Sequence, residues 1–289
     1  MISRTKKART RSARFLLLCA LACAPRETGS VRDDLSRSVH IPPKVARIVT
    51  LAPNLTEIVY AIGAGNRVIG TDDFSDEPAA AKTLPKVGGM QPNIEKIVAL
   101  KPDLVLATTN GNHPNLSPAL AAVHIPLYVV RTERLDEIPR AMEQLATLLH
   151  VTSPAAADLR AAIARQRKTR VHAPRVLFAL WADPLYVAGR KTFSDDVFAL
   201  TGAANAVPVD GWPQYSLEAL VAQPPDIILY PSRAVPRAQI DKILNVSADL
   251  KRRVTVVPVD ENLFTRPGPR VAVAAQELNR ILDSWRPSR

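Results

Sequence analysis

One short stretch of this chain occurs twice, once in each half. Residues 95–106 read EKIVALKPDLVL, residues 218–229 read EALVAQPPDIIL, and six of the twelve ungapped positions are identical. Each copy follows a residue that favours helix caps, Asn93 or Ser216. Each copy combines a short amphipathic helix, a proline that ends it and an apolar run typical of a buried strand. This recurrence predicts two similar α/β lobes, with chance recurrence of a common helix–strand connection as the weaker alternative.

The first 24 residues have the composition of a secretory signal. Six basic residues lie in the first fourteen positions, and the apolar stretch 15–24 is too short to span a bilayer. A membrane anchor or a misplaced start is the alternative. Residues 20–22 form a small-x-small cleavage sequence, and with Cys23 they also resemble a lipoprotein box. In either case Cys19 and Cys23 are both removed or lipidated, so we expect a mature domain with no cysteine and no disulfide. We also expect a periplasmic protein that is either free or lipid-anchored through Cys23.

The charge and composition indicate a globular protein with no nucleic-acid partner. The formal net charge is +11, but without the six N-terminal basic residues 32 basic side chains remain against 27 acidic ones. No later basic run is interleaved with aromatic residues. A length of 289 residues suits two domains. Residues 25–45 show no apolar period, so we expect a tether there.

Residues 46–150 alternate strands and helices, which predicts a parallel sheet with helices on both faces. Asn54-Leu-Thr-Glu57 has the spacing of a capping box at the start of a helix. In such sheets a ligand lies beyond the carboxyl ends of the strands. The loops expected at those ends are 52–54, 72–76, 108–115 and 131–135.

A helical segment lies between the two repeat copies. Ser153-Pro154 is a cap followed by proline at the first helical position, and residues 155–170 are rich in strong helix formers. We therefore expect residues 153–172 to form one long helix that joins the lobes and resists hinge motion. A surface helix of a single domain is the alternative. The second lobe then spans residues 174–289.

The few aromatic residues of the chain are concentrated in its loops. They account for only 5% of the chain, yet the loops that leave strands or enter helices contain Phe74, Trp181, Tyr186, Trp212 and Phe264. Aromatic side chains on one rim favour a flat apolar ligand held between two lobes. Burial in the local core is the alternative, expected for at least one or two of them and favoured for Phe74 considered by itself. Met90, between glycines and a Gln-Pro pair, has the same ambiguity.

No catalytic motif is recognisable in the sequence. It contains no nucleophile elbow, P-loop, GxGxxG motif or cluster of histidine, cysteine and carboxylates. His113 has no second ligand at metal-binding spacing, so a solvent-facing histidine is favoured over a metal site. We therefore predict a binding protein with no catalytic residues and no metal. A secreted α/β enzyme is the alternative from another class.

From about Ala46 to Leu282 the chain resembles the helical-backbone (class III) substrate-binding proteins of ABC importers. The most specific pieces are 51–57, 70–78, 93–106, 211–218 and 264–270. The resemblance implies two Rossmann-like lobes with parallel sheets, joined by one long rigid helix, with ligand in the cleft. It also implies a monomer that docks Glu95 and Glu218 onto arginines of a dimeric permease, which works with its ATPase. Carboxylates are stable in the first turn of a helix and can accept both hydrogen bonds of an arginine fork.

Within that family the resemblance is to members that bind cobalamin, which implies a corrinoid as the transported ligand and no catalytic cofactor. Met90 and Thr108 replace two tryptophans of those members, Asn262 replaces an aspartate that hydrogen-bonds the ligand, and the family disulfide is absent. The ligand-binding positions implied by the resemblance are Phe74, Met90, Thr108, Tyr186, Trp212, Asn262, Leu263, Phe264, Thr265 and Arg266.

Two other ligands remain alternatives at this stage. A ferric siderophore is anionic and requires several cationic side chains, whereas only Arg131, Arg190 and Arg266 are near the expected cleft. Haem requires an axial ligand, for which Tyr186, His113 and Met90 are the candidates.

Overall fold

The computed structural model of the protein describes residues 29–111 and 115–286. The predicted signal peptide, both cysteines and His113 lie outside the described residues. The strands are β1 (Ser30–Arg32), β2 (Ser38–His40), β3 (Ile48–Thr50), β4 (Val68–Thr71), β5 (Leu104–Thr108), β6 (Leu127–Val130), β7 (Arg175–Ala182), β8 (Leu185–Val187), β9 (Ala204–Asn205), β10 (Ile227–Pro231) and β11 (Thr255–Val259). The helices are α1 (Pro53–Ala61), α2 (Ile94–Ala99), α3 (Leu116–Ala122), α4 (Glu137–Leu148), α5 (Ala155–Arg165), α6 (Phe193–Leu200), α7 (Leu217–Ala222), α8 (Arg237–Leu244), α9 (Ala248–Arg253), α10 (Glu261–Phe264) and α11 (Val271–Ser284). None of the helices in the described ranges has the length and apolarity needed to cross a membrane.

Each half of the chain folds around its own parallel sheet. In the first lobe the strand order is β4-β3-β5-β6, and all three pairings are parallel. In the second lobe β7 pairs in parallel with β10 and β9, and β11 lies beyond β10. The predicted fold class, α/β with a parallel sheet in each lobe, is confirmed. One strand differs, because β8 runs antiparallel to β7 and makes a hairpin of a segment predicted as an open loop.

The aspartate of each repeat copy has the same structural role. Asp103 accepts a hydrogen bond from the backbone N of Arg47 at 2.9 Å, just before β3. Asp226 accepts one from the backbone N of Arg175 at 2.7 Å, at the start of β7. Each aspartate therefore connects the strand that follows it to the neighbouring central strand of its sheet, which explains why the repeat retains it.

The lobes share one hydrophobic core. A single cluster of buried residues includes Leu106 from the first sheet, Phe178 from the second, and Leu145, Ile163 and Leu278 from α4, α5 and α11. Helix α5 packs between α4 and α11. The expectation of one long helix over residues 153–172 is wrong in its length, because α5 begins at Ala155 and ends at Arg165. The backbone that follows bonds to α6 instead, where Lys168 N donates to Leu200 O at 3.0 Å. A shared core of this kind opposes independent movement of the lobes.

The expectation of a tether over residues 25–45 is wrong for its described part. Strands β1 and β2 form an antiparallel pair, and Val39, Ile41 and Val45 are buried in the shared core. The buried Asp33 binds the Arg37 side chain, with an N–O distance of 2.6 Å. These apolar residues are too widely spaced to show a period, so burial here depends on the surface of the first lobe and leaves no local pattern.

Candidate ligand-binding site

A cavity of about 370 Å³ lies between the lobes. The first lobe contributes Asn54, which follows β3, residues 108–110 at the end of β5, and residues 132–133 after β6. Three of the four loops predicted at the carboxyl ends of the strands therefore line this cavity. The second lobe contributes residues 191–193, 211–212, Thr265 and Pro267. A larger cavity of about 940 Å³ lies between the β1–β2 pair and α4, and it contains none of the predicted ligand residues.

The polar lining of the interlobe cavity is close to neutral. Most of its polar side chains are hydroxyls and amides, and its two charged side chains have opposite signs. Glu133 accepts a hydrogen bond from Thr109 Oγ1 at 2.6 Å, and Lys191 Nζ lies 2.6 Å from an Asp210 carboxylate oxygen. Such a surface is suited to a ligand that carries neutral donors and acceptors.

The rim of the first lobe exposes two large apolar side chains. Phe74 is 57% exposed and Met90 is 71% exposed, so the expectation that Phe74 packs into the core is wrong. The Phe74 ring lies over Gly89, where an added Cβ would be 3.0 Å from a ring carbon. This glycine brings the two loops into contact and places Phe74 beside the segment that contains Met90.

The rim of the second lobe exposes three aromatic side chains. Trp181 and Tyr186 are paired residues of the β7–β8 hairpin, and Tyr186 also bridges to Gln214, two residues after Trp212. Trp181 is 50% exposed, Tyr186 37% and Trp212 40%. Trp212 also lines the interlobe cavity.

Several predicted ligand residues in the segment 262–266 do not line the interlobe cavity. Phe264 is fully buried and packs against Phe178 with ring centroids 6.0 Å apart, so its prediction as a rim aromatic is wrong. Leu263 lines a separate depression formed with Val259 and Val273. Both residues belong to the short helix α10, which packs against α11 and directs them inward. Thr108, Trp212 and Thr265 line the cavity.

Asn262 and Arg266 bind the opposite lobe. Asn262 Nδ2 lies 3.4 Å from an Asp76 carboxylate oxygen, and an Arg266 guanidinium nitrogen lies 3.1 Å from the carbonyl oxygen of Phe74. Burial opposes ionisation of Asp76, but the hydrogen bond and the charge of Arg266 outweigh it and lower the pKa of this carboxyl group. The segment 262–266, which includes the end of α10, therefore contacts the first lobe across the interface.

A second set of contacts across the interface involves the residues predicted as a capping box. Helix α1 has Ala52 as its cap residue, with no side-chain hydrogen bond there. Asn54 instead donates to Thr132 Oγ1 at 2.8 Å and to Pro267 O at 3.2 Å. The buried Glu57 accepts two hydrogen bonds from Arg270, at 2.7 and 2.9 Å, which raise the pKa of the Arg270 side chain. The capping-box prediction is wrong because Asn54 bonds to Thr132 of its own lobe and to Pro267 of the other lobe, and Glu57 bonds to Arg270 of the other lobe.

Sequence reasoning missed several residues of the cavity. Thr109, Asn110, Thr132 and Glu133 lie inside loops that were predicted at the site, and their position after a strand was the available signal. Lys191 and Thr192 precede α6 in the second lobe and had no such signal. Within the described residues no group of three histidine, cysteine or acidic side chains is arranged to hold a metal ion.

Glu95 and Glu218 have equivalent surroundings. Each lies in the first turn of a six-residue helix, α2 or α7. The cap residues accept hydrogen bonds in the same way, Asn93 from Lys96 N at 2.9 Å and Ser216 from Ala219 N at 3.1 Å. Both glutamates are exposed, and neither has an ion-pair partner in the part of the chain that the structure describes.

Two lobes with parallel sheets, a shared core and a neutral cavity between them define a solute-binding protein. The sequence model of the family described as periplasmic binding protein matches residues 48–252, and the chain belongs to this family. Its members are binding proteins of transport systems and not enzymes.

Named relatives and solved structures agree with this membership. A vitamin B12-binding protein of Pectobacterium carotovorum is 34% identical over 254 residues, covering 83% of this chain and 90% of the relative. The periplasmic haem-binding protein RhuT from Roseiflexus sp. RS-1 superimposes with a TM-score of 0.73 at 26% identity, covering 82% of this chain and 97% of that one. The periplasmic vitamin B12-binding protein BtuF of Vibrio cholerae gives a TM-score of 0.65 at 28% identity, covering 83% and 97%.

Proposed function

We propose that this protein is the solute receptor of an ABC importer and binds cobalamin, or a related corrinoid, in the interlobe cleft. The observation that carries the proposal is the hydroxyl and amide lining of the cavity, in which Glu133 accepts a hydrogen bond from Thr109 and Lys191 pairs with Asp210. The side-chain amides of a corrin are also neutral, so they match this lining and require no charged partner from the protein. The relatives named for vitamin B12 binding support the same ligand.

The exposed aromatic rim adds to this proposal. Large apolar side chains exposed together mark a binding surface. Phe74 and Met90 on one lobe, and Tyr186 and Trp212 on the other, offer flat apolar contact to a macrocycle whose polar edge enters the cavity. Two of the three arginines that an anionic siderophore could use are engaged, since Arg190 pairs with Asp210 at 3.2 Å and Arg266 pairs with Asp76. The third, Arg131, does not line the cavity.

Haem is the second candidate. The observation that favours it is the exposed phenol of Tyr186, a group able to act as an axial ligand to iron. Solved structures of haem-binding proteins are also among the structural neighbours.

Titration of the purified mature protein distinguishes these ligands. We expect saturable one-to-one binding of cyanocobalamin, and no comparable binding of haemin or a ferric siderophore. Trp212→Ala should weaken cobalamin binding about tenfold, because it removes aromatic contact at the cavity. Thermal melting of the variant is the control for folding. Tight haemin binding without cobalamin binding would remove the corrinoid proposal.

Tyr186→Phe separates the two candidates at one atom. This change keeps the ring and removes the phenolic oxygen. We expect the cobalamin affinity to stay the same, because a corrin needs only the flat face of the ring. A haem receptor would lose its tyrosinate absorption band and most of its haemin affinity.

The partner and location follow from the same proposal. The receptor would deliver its ligand as a monomer to a dimeric permease and its ATPase, with Glu95 and Glu218 docking onto arginines of the two permease subunits. It would act in the periplasm, either free or lipid-anchored through Cys23.

A further inference from the structure

The loop that carries Phe74, residues 72–76, is held by hydrogen bonds within its own lobe. The buried Asp72 accepts hydrogen bonds from Ser75 Oγ and, at 3.1 Å, from Phe74 N. Burial raises the pKa of the Asp72 carboxyl group in spite of these bonds. Lys86 Nζ donates to Ser75 O at 2.6 Å. These contacts fix both ends of the loop, but none of them reaches the carbonyl group of Phe74.

The carbonyl group of Phe74 is held by the other lobe. One Arg266 guanidinium nitrogen lies 3.1 Å from it, and another binds the Asp76 carboxylate. The Arg266 side chain is only 13% exposed, and Glu57 lies 3.6 Å away as a further negative neighbour. A guanidinium group engaged by a carboxylate and a carbonyl group is directed into the loop of the first lobe and away from the ligand cavity. Arg266 is also absent from the lining of that cavity.

We propose that Arg266 is a positioning residue, which sets the ligand affinity by holding Phe74 in place across the lobe interface and makes no ligand contact of its own. The inference rests on the proposed function, because Phe74 is taken as a wall of the ligand site. A charge-assisted hydrogen bond is stronger and geometrically better defined than a neutral one. Its loss removes the hydrogen bond to the Phe74 carbonyl group, and the contacts of Asp72 and Lys86 within the same lobe do not replace it.

A double-mutant cycle tests this role. We expect Arg266→Gln and Phe74→Ala each to raise the Kd for cyanocobalamin about tenfold. If Arg266 acts through Phe74, the double variant binds no more weakly than Phe74→Ala by itself. If Arg266 contacts the ligand independently, the two effects multiply to about a hundredfold, which overturns the inference.

Arg190→Gln is the matched control. Arg190 is also an arginine of the second lobe paired with an aspartate, but it contacts Asp210 and not the Phe74 loop. Any effect of Arg190→Gln on the affinity should multiply with that of Phe74→Ala. Arg266→Lys should recover part of the affinity, because one ammonium group can reach only one of the two partners at a time.

Hydrogen exchange gives a readout that needs no ligand. In the ligand-free protein, we expect Arg266→Gln to accelerate amide exchange in residues 72–76, and Arg190→Gln to leave it unchanged. Unchanged exchange in Arg266→Gln overturns the inference. A wild-type protein that fails to bind cyanocobalamin removes the proposed ligand, and the exchange measurement still decides whether Arg266 holds the loop.

Discussion

Replacing both Glu95 and Glu218 with alanine is expected to abolish cobalamin uptake while the purified receptor keeps its ligand affinity. The two carboxylates are exposed and have no ion-pair partner within the described ranges. In the two parallel sheets the helix that precedes a strand runs antiparallel to it, so the first turns of α2 and α7 lie at the carboxyl edges. The two glutamates therefore stand at the edges that also form the ligand site, one on each lobe.

Transport and binding are measured separately in this experiment. Uptake of labelled cobalamin is followed in cells, or in vesicles with the reconstituted importer, and affinity is measured by titration of the purified variant. Each single variant should retain part of the activity, because one docking contact remains.

Asp158→Ala is the matched control for this prediction. Asp158 is an exposed carboxylate in the first turn of α5 and belongs to neither repeat copy. Its removal should change neither uptake nor binding. Uptake at the wild-type level in the Glu95→Ala, Glu218→Ala protein would contradict the docking assignment.

Arg270→Met is expected to lower the free energy of unfolding more than Glu57→Gln or Arg280→Met. Glu57 is 5% exposed at its side chain and receives two hydrogen bonds from Arg270, so the substitution leaves a buried carboxylate with only Arg266 nearby, at 3.6 Å. Breaking a buried pair in this way costs about 3 kcal/mol. The thermal midpoint should fall on the order of 10 °C in a chain of this size.

Removing the carboxylate of the pair is expected to cost less stability than removing the arginine. Glu57→Gln leaves Arg270 unpaired, but the Arg270 side chain is 29% exposed and can turn towards water. Arg280→Met removes an arginine from an exposed pair with Glu277, and should change the midpoint little. Equal losses from Arg270→Met and Arg280→Met would show that the contact between the lobes contributes nothing specific.

The sequence predicted the architecture because the architecture depends on local patterns. Apolar runs, cap residues and a proline recur in both repeat copies, and each of these features determines the secondary structure of only a few neighbouring residues. The loops at the carboxyl ends of the strands followed from the general geometry of parallel sheets. The structure confirms the two sheets and places three of the four predicted loops around the interlobe cavity.

The contacts between the lobes could not be predicted in this way. Asn54 and Glu57 have the spacing of a local cap, but their partners are Pro267 and Arg270, more than two hundred positions away. Phe264 and Phe74 have similar loop contexts in the sequence, yet one is fully buried and the other is 57% exposed. Only the packing of one lobe on the other distinguishes these alternatives.

The folding of β1 and β2 onto the first lobe determines how far an anchored receptor could travel. If Cys23 carries a lipid, the anchor lies only seven positions before Ser30, the first residue of β1. A chain spans at most about 3.3–3.6 Å per residue, so β1 would lie no more than about 25 Å from the anchor. A tether over residues 25–45 would have allowed a distance several times larger. An anchored form would therefore stay close to the membrane surface and would reach its permease by lateral diffusion.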